Sequence, residues 1–328
     1  MSDSKTVSPP IRKRAAVIYN PVAGFFQRGR LRRFLKHLRG RGHEVLLRKT
    51  EFAGHATEIA RSIPIGSVDV VVAAGGDGTI NEVANGLIGR PIPMAIAPLG
   101  TANVLTFELG MGLGMRHAAA LPSEGHVVEV RPAMVDGRGF LLMVSAGADA
   151  RVVARVGSRL KRLTGKFAYV VAALREILAG TQTGIDVTVD GVAYRAGLVI
   201  VTHASHYAGP FVIAPDARLG EMAVRVVLVP ETGRLGLLGY GLALVMNRIS
   251  RQSGVRILKA HQVRIDGPAG QPIQSDGDTI GIAPVDIALG DSPLQMLVPD
   301  PNRVLPVTHA DVPNDGRAKA ENLAVARG

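Results

Sequence analysis

Along the first third of the chain, apolar residues fall in short unbroken runs separated by amphipathic stretches. Residues 15–19 (AAVIY), 68–74 (VDVVVAA) and 93–97 have the pattern of strands buried on both faces of a parallel sheet. Between the first two runs the period becomes helical. Leu31, Phe34, Leu35 and Leu38 share one face, and Arg30, Arg32, Arg33, Lys36 and Arg39 occupy the rest. Gly40 and Gly42 stop that helix. Residues 44–49 predict a second strand, and 55–62, 80–88 and 104–109 further helices, with a glycine-rich turn at 75–79. Strand, turn and helix in repetition specify parallel strands with crossover helices.

The texture changes near residue 125. β-Branched runs at 127–136, 139–145, 185–189, 193–203, 222–229, 255–266 and 285–289 are separated by Gly or Asp turns, and only 167–179 and 235–247 are helical. The division expected is a flexible basic N-terminus at 1–14, an α/β domain at 15–124, a β-rich domain at 125–299 whose last strand is free to return to the first, and a mobile tail at 300–328.

The chain has 328 residues, 47% of them hydrophobic, enough for a sizeable core. Its net charge of +11 favours anionic partners: nucleic acid, a phosphorylated small molecule or an anionic membrane surface. Aromatic residues are 4% and Trp is absent, so no base-stacking platform is visible and nucleic acid is disfavoured. With no Cys, disulfides, thiolate nucleophiles and Cys-based zinc sites are excluded. The N-terminus has no apolar signal region, and the apolar window 235–246 is shorter than the ~20 residues a spanning helix needs. A cytoplasmic protein is expected.

The densest chemical signal is Ala74-Gly75-Gly76-Asp77-Gly78-Thr79-Ile80-Asn81-Glu82-Val83-Ala84-Asn85-Gly86, which follows an apolar strand and opens a helix. Glycines let backbone approach a ligand closely, and a helix N-terminus suits phosphate. A carboxylate in such a loop repels bare phosphate, so Asp77 works through a metal or water, or ties down the loop. An ordinary strand-to-helix turn would also need the glycines.

This string resembles the nucleotide-binding motif of the diacylglycerol kinase catalytic domain family. GGDGT alone also occurs in NAD kinases, but other segments extend the resemblance in family order. They are Asn20-Pro21-Val22-Ala23-Gly24, Thr50 with Gly54-His55-Ala56, Pro98-Leu99-Gly100-Thr101-Ala102-Asn103, Ser145-Ala146-Gly147-Ala148-Asp149, Tyr207-Ala208-Gly209-Pro210 with Ile213-Ala214-Pro215-Asp216, and Gln274-Ser275-Asp276-Gly277-Asp278.

The resemblance implies an α/β fold: an N-terminal Rossmann-like three-layer nucleotide-binding domain plus a C-terminal β-sandwich, with the active site in the interdomain cleft. It implies an ATP-dependent, Mg²⁺-assisted lipid kinase acting on a diacylglycerol or a sphingoid or ceramide-like alcohol. Asn20, Pro21, Gly24, Thr50, Gly75, Gly76, Asp77, Gly78, Thr79, Asn81, Glu82, Gly100, Thr101 and Asn103 would hold ATP. Asp276 would be the general base that takes the lipid hydroxyl proton, although an Asp-Gly hairpin turn accounts for the same residues. Asp278 is a supporting acid or a solvated turn residue. Two alternatives stand beside this reading: a soluble NAD-kinase-like kinase of a non-lipid alcohol, and a non-catalytic, nucleotide-gated lipid-binding protein.

Three departures from the family pattern matter. Val104 stands where many members have Asp, and Leu219-Gly220-Glu221 stands where many have Asp-Gly. Both changes fall on one structural Mg²⁺ network, whose absence is therefore expected. His203-Ala204-Ser205 replaces a commoner Asn-Gly-basic run. His203 and His206 lack an evident third ligand, so loop packing or substrate contact is favoured over metal. Arg151, Arg155, Arg159 and Arg162 are spaced as one helical stripe, either a solvated face or a peripheral contact with an anionic membrane. Pairing with a second copy at a sheet edge is open.

Overall fold

The computed structural model describes residues 13–21, 27–153 and 184–305. The first layer alternates as its apolar runs require: β1 (Arg14–Tyr19), α1 (Gln27–Gly40), β2 (Glu44–Lys49), α2 (His55–Ser62), β3 (Val70–Gly75), α3 (Asp77–Leu87), β4 (Met94–Pro98) and α4 (Val104–Glu108). Short helices α5 (Met115–Ala118) and α6 (Leu121–Glu124) lead to β5 (His126–Val130). The sheet order is β2-β1-β3-β4, then β20 (Leu294–Val298), then β5. Strands β1 to β4 are parallel neighbours, β20 joins β4 in parallel, and β5 runs antiparallel to β20. Every residue of β3 and β4 is buried, which explains why they read as unbroken apolar runs.

Among the described residues, two of the remaining strands form a short hairpin of their own, and the other twelve form two six-stranded sheets. One contains β6 (Ala133–Val135), β7 (Arg138–Phe140), β9 (Ile185–Val189), β10 (Val192–Ala196), β16 (Gln262–Asp266) and β19 (Val285–Leu289). The other contains β8 (Met143–Gly147), β11 (Leu198–Thr202), β14 (Val224–Val229), β15 (Arg256–Ala260), β17 (Pro272–Ser275) and β18 (Asp278–Ile282). Val144, Ala146, Val199, Val201, Val226 and Ile273 share one buried cluster with Val135, Val187 and Ile265, so the sheets close as a sandwich.

The central strands of the second sheet, β8, β11, β14 and β17, are buried on both faces, whereas its edge strands β15 and β18 are more exposed. Met143, Ile200 and Val227 alternate with those inward residues and join the core of the first layer instead. The same alternation turns Ser145 and Gln274 away from the sandwich interior, and both are buried.

Four long strands expected from the sequence are each two strands. Residues 127–136 break at Arg131-Pro132 into β5 and β6, which lie in different sheets; Pro132 has no N–H to continue a ladder. Residues 139–145 break at Leu141-Leu142, whose N–H groups donate to Asp276. Residues 193–203 split at Gly197 into β10 and β11. Residues 255–266 split at His261, whose N–H donates to Asp190. Each of these last three breaks also passes the chain from one sandwich sheet to the other. The glycine-rich turn expected at 75–79 is shorter than expected. Gly75 ends β3, Gly76 is extended, and α3 already begins at Asp77, with the Ile80 N–H bonded to the Gly76 carbonyl at 3.0 Å. The helix expected at 167–179 lies outside the described residues.

Candidate active site

The turns after β1, β2, β3 and β4 lie at the carboxyl edge of the parallel sheet. Chain order reverses there, with β2 on one side of β1 and β3 on the other, which is where open α/β sheets take ligands. Main-chain bonds join the turns. The Thr50 N–H donates to the Tyr19 carbonyl at 2.9 Å and the Asn20 N–H to Ala74 at 3.3 Å. The Leu99 and Gly100 N–H groups donate to Gly75 at 2.8 and 3.0 Å. Asn20, Pro21, Thr50, Gly75–Thr79 and Gly100–Asn103 are therefore brought together. Gly24 lies outside the described residues.

Most positions of the 75–86 string have an identifiable neighbour. A Cβ on Gly100 would stand 2.4 Å from Gly76 Cα, so the turns after β3 and β4 touch backbone to backbone and neither position admits a side chain without movement. Asp77 Oδ1 accepts the Leu105 N–H at 3.2 Å, tying the loop to the start of α4. Asn20 Nδ2 donates to Thr79 Oγ1 at 3.4 Å. Glu82 Oε2 accepts the Ala56 N–H at 3.1 Å, so that carboxylate serves the start of α2. Asn85 and Gly139 exchange two bonds of 2.8 Å each, fastening α3 to β7. A Cβ on Gly86 would lie 2.6 Å from Ala60 Cβ, so this glycine sets the approach of α3 to α2. Asn103 is buried at φ 49°, donates to the Gly100 carbonyl at 2.7 Å, and leaves Oδ1 without a partner. Asn81 is buried with Nδ2 also unpartnered.

The opposite wall is the β17–β18 hairpin. Asp276 (φ 48°) and Gly277 (φ 86°) form its two-residue turn, the left-handed pair that Asp-Gly favours. The hairpin reading and the site reading thus describe the same residues. The Asp276 carboxylate is buried and accepts N–H bonds from Leu141 (3.1 Å), Leu142 (3.1 Å) and Met143 (2.8 Å). Burial pushes its pKa up to about 6. Those three bonds pull the other way, and the charge of Asp77 adds to the rise. Asp278 Oδ2 lies 3.4 Å from where a Cβ on Gly78 would stand, so the Asp276–Asp278 turn meets the first turn of α3.

A polar cluster supports the hairpin from behind. Gln274 Nε2 donates to Ser145 Oγ (2.9 Å) and Asp149 Oδ2 (3.1 Å), while Gln274 Oε1 accepts the Gly277 N–H (2.9 Å). The Tyr207 hydroxyl also bonds Asp149. Tyr207 belongs to a short hairpin, β12 (His206–Tyr207) and β13 (Phe211–Val212).

Sequence reasoning missed the Glu108 cluster. Glu108 Oε2, at the end of α4, accepts from the Ser205 and His206 N–H groups (3.0 and 3.1 Å), and lies 2.8 Å from Ser205 Oγ and 2.7 Å from His206 Nδ1. Burial pushes the Glu108 pKa up, but the bonds from His206 and Ser205 outweigh it and hold the carboxyl below its ordinary value. The available signal was a lone acid within the apolar run Val104-Leu105-Thr106-Phe107-Glu108-Leu109. His203 and His206 diverge: His203 is buried, with Nε2 3.1 Å from the Glu221 carbonyl, and burial holds its pKa below the ordinary range. Among the described residues, no three His, Asp or Glu side chains converge to hold a metal ion by themselves. No described helix is long and apolar enough to cross a membrane. Of the arginine stripe, Arg151 is described; Arg155, Arg159 and Arg162 lie outside the described residues.

The first part of the chain, residues 14–135, matches the family model described as the diacylglycerol kinase catalytic domain, and residues 142–301 match a YegS C-terminal NAD kinase beta sandwich-like domain. A diacylglycerol kinase of Staphylococcus saprophyticus is 30% identical over 282 residues, covering 84% of this chain and 92% of the relative. One from Bacillus subtilis is 26% identical, covering 83% and 92%. A crystal structure of a diacylglycerol kinase from Bacillus anthracis superposes with a TM-score of 0.68 at 21% identity, over 90% of this chain and 100% of that one, a likeness of fold.

Proposed function

Because the chain belongs to the diacylglycerol kinase family and is a kinase, we propose that it transfers the γ-phosphoryl group of ATP to the hydroxyl of a lipid alcohol, a diacylglycerol or a sphingoid-type alcohol, with Asp276 as general base. The observation that carries the reading is the meeting of the Asp276–Asp278 turn with the first turn of α3. A buried carboxyl with a pKa of about 6 thus belongs to the turn that meets a helix N-terminus suited to phosphate.

Each group then has a task. The first turn of α3, with Gly75–Thr79, Asn20, Pro21, Thr50, Gly100 and Thr101, holds the nucleotide; Gly24 belongs to the same loop by sequence. Asn103 fixes the turn after β4 through the Gly100 carbonyl, Glu82 ties α3 to the start of α2, and Asn81 is buried on α3 with Nδ2 unpartnered. Asp276 has two oxygens and three main-chain donors, which leaves acceptor capacity at Oδ2. There it takes the hydroxyl proton as the new oxygen–phosphorus bond forms and the bond to ADP breaks. Gln274, Ser145 and Asp149 keep the turn from shifting. The parallel layer holds nucleotide and the sandwich holds lipid; the division falls at Arg131-Pro132, after β5 of the first sheet, and not near residue 125.

The donor set suits Mg²⁺ bound together with nucleotide. Such sites need only one or two protein carboxylates besides phosphate oxygens, and Asp77 and Asp278 stand at the right turn. When bound, Mg²⁺ offsets phosphate charge. A separate structural Mg²⁺ does not fit. Glu221 is neutralised by Arg225 (2.8 Å) and Lys259 (2.7 Å), and Val104 is a buried apolar residue.

The test is purified protein with γ-labelled ATP and a panel of diacylglycerol, ceramide, sphingosine and NAD. Label in a lipid phosphate supports the reading. Label in NAD alone, or in no acceptor, contradicts it.

A further inference from the structure

The helix α7 (Arg234–Val245, RLGLLGYGLALV) contains no acidic residue and buries only Ala243. Leu235, Leu238, Leu242, Val245 and Met246 are each at least half exposed, Leu235 at 85%. Their spacing of 3, 4, 3 and 1 places all five side chains within an arc of about 100° on one helix face. A contiguous apolar stripe of that kind on a water-facing helix marks a contact surface, unlike apolar residues scattered singly.

The charge around the stripe identifies the occupant. Between Glu231 and Asp266 there is no Asp or Glu, and there are six Lys or Arg. Lys259 and Arg264 are paired with acidic side chains, whereas Arg234, Arg248, Arg251 and Arg256 are exposed. An apolar face bordered by arginine suits a bilayer carrying anionic headgroups, with leucines at the acyl boundary and guanidinium groups among phosphates. Twelve residues extend about 18 Å, less than the ~30 Å hydrocarbon core, so the helix would lie in the interface and not span it.

The stripe is also connected to the candidate site. Asn247, just past α7, accepts the Val212 N–H through Oδ1 at 2.7 Å. Val212 pairs with His206, and Tyr207 on that hairpin bonds Asp149 beside the Asp276 turn. We propose that α7 is the membrane-docking face of this protein, seating on an anionic bilayer with the β12–β13 hairpin beside the lipid surface. The inference rests on the lipid-kinase reading for its purpose, but not for its geometry.

The experiment compares wild type with Leu238→Glu/Leu242→Glu. It uses co-sedimentation with 1:1 phosphatidylglycerol–phosphatidylcholine vesicles, and transfer to diacylglycerol presented in those vesicles or as a monomerically dispersed short-chain analogue. Expected is at least a tenfold loss of vesicle binding and of activity on vesicle substrate, with activity on the dispersed analogue retained. Retained analogue activity also shows that the variant folds. Unchanged vesicle binding would overturn the proposal, as would a dimer that the variant disperses without altering vesicle binding, since a second copy would then be the occupant. Vesicle binding through α7 by a wild type that phosphorylates no lipid would support the docking face and sink the substrate reading. The chain has no Cys, so Leu238→Cys gives a single labelling site. An environment-sensitive dye there should shift to the blue on these vesicles, and no shift would overturn the proposal without reference to activity.

Discussion

Replacing Asp276 with Asn should separate stability from catalysis. The wild-type carboxyl has a folded pKa of about 6 against an ordinary 3.8. A raised carboxyl pKa means that the folded state disfavours the charged form. The group is therefore neutral to stability below its unfolded pKa, and its cost grows as pH rises from 3.8 towards 6. At about 1.4 kcal/mol per pKa unit, that cost is roughly 1 kcal/mol at pH 4.5 and roughly 3 kcal/mol at pH 8.

Asparagine carries no charge and escapes this cost at every pH. It keeps one oxygen for Leu142 and Met143, but turns an NH₂ group towards the Leu141 N–H. That lost bond costs about 1–3 kcal/mol, independent of pH. Relative to wild type, Asp276→Asn should therefore gain roughly 2 kcal/mol between pH 4.5 and pH 8, ending near or above wild-type stability at the higher pH. Urea unfolding of both proteins across that range measures it. A variant penalty that is the same at pH 4.5 and pH 8 would refute the charge-burial argument.

Other outcomes follow from the same contacts. Gly100→Ala puts a methyl group 2.4 Å from Gly76 Cα; overpacking of this kind costs about 1–3 kcal/mol, and ATP affinity by calorimetry should fall at least tenfold. Glu108→Gln should cost about 1–3 kcal/mol near neutral pH. Its penalty should shrink in acid, because the depressed folded pKa of Glu108 gives stability that is present above its ordinary 4.5 and lost as pH falls through the folded value. A flat pH dependence would argue against the pairing with His206. Chelation followed by desalting should leave the melting temperature of nucleotide-free protein unchanged, because a tightly held structural Mg²⁺ would stabilise by mass action; a drop restored by Mg²⁺ would contradict the Glu221 argument.

The parallel layer was legible because strands buried on both faces read as continuous apolar runs, and β1 to β4 lie within two residues of their expected positions. The sandwich was legible as β-rich but not in its strand breaks. Leu141 and Leu142 read as strand, yet their N–H groups serve Asp276, some 135 positions away. Strand β11 hides its alternation because Val199 and Val201 face the sandwich core while Ile200 faces the first layer. Within the site, the glycine-rich string announced itself. The duties of Glu82, Asn85 and Gly86 could not be read, since their partners Ala56, Gly139 and Ala60 are set by helix packing. Glu108 and His206 are 98 positions apart and meet only because α4 abuts the β12 strand.

The central claim is that Asp276 takes the proton from a lipid hydroxyl while the first turn of α3 holds ATP. Single-turnover transfer from labelled ATP to diacylglycerol by wild type and Asp276→Asn, with ATP affinity measured on the same samples, tests it most directly. The account predicts a transfer rate lowered by about 10²–10⁴ in the variant with ATP affinity unchanged. Wild-type transfer by the Asn variant, or loss of ATP binding together with transfer, would contradict it.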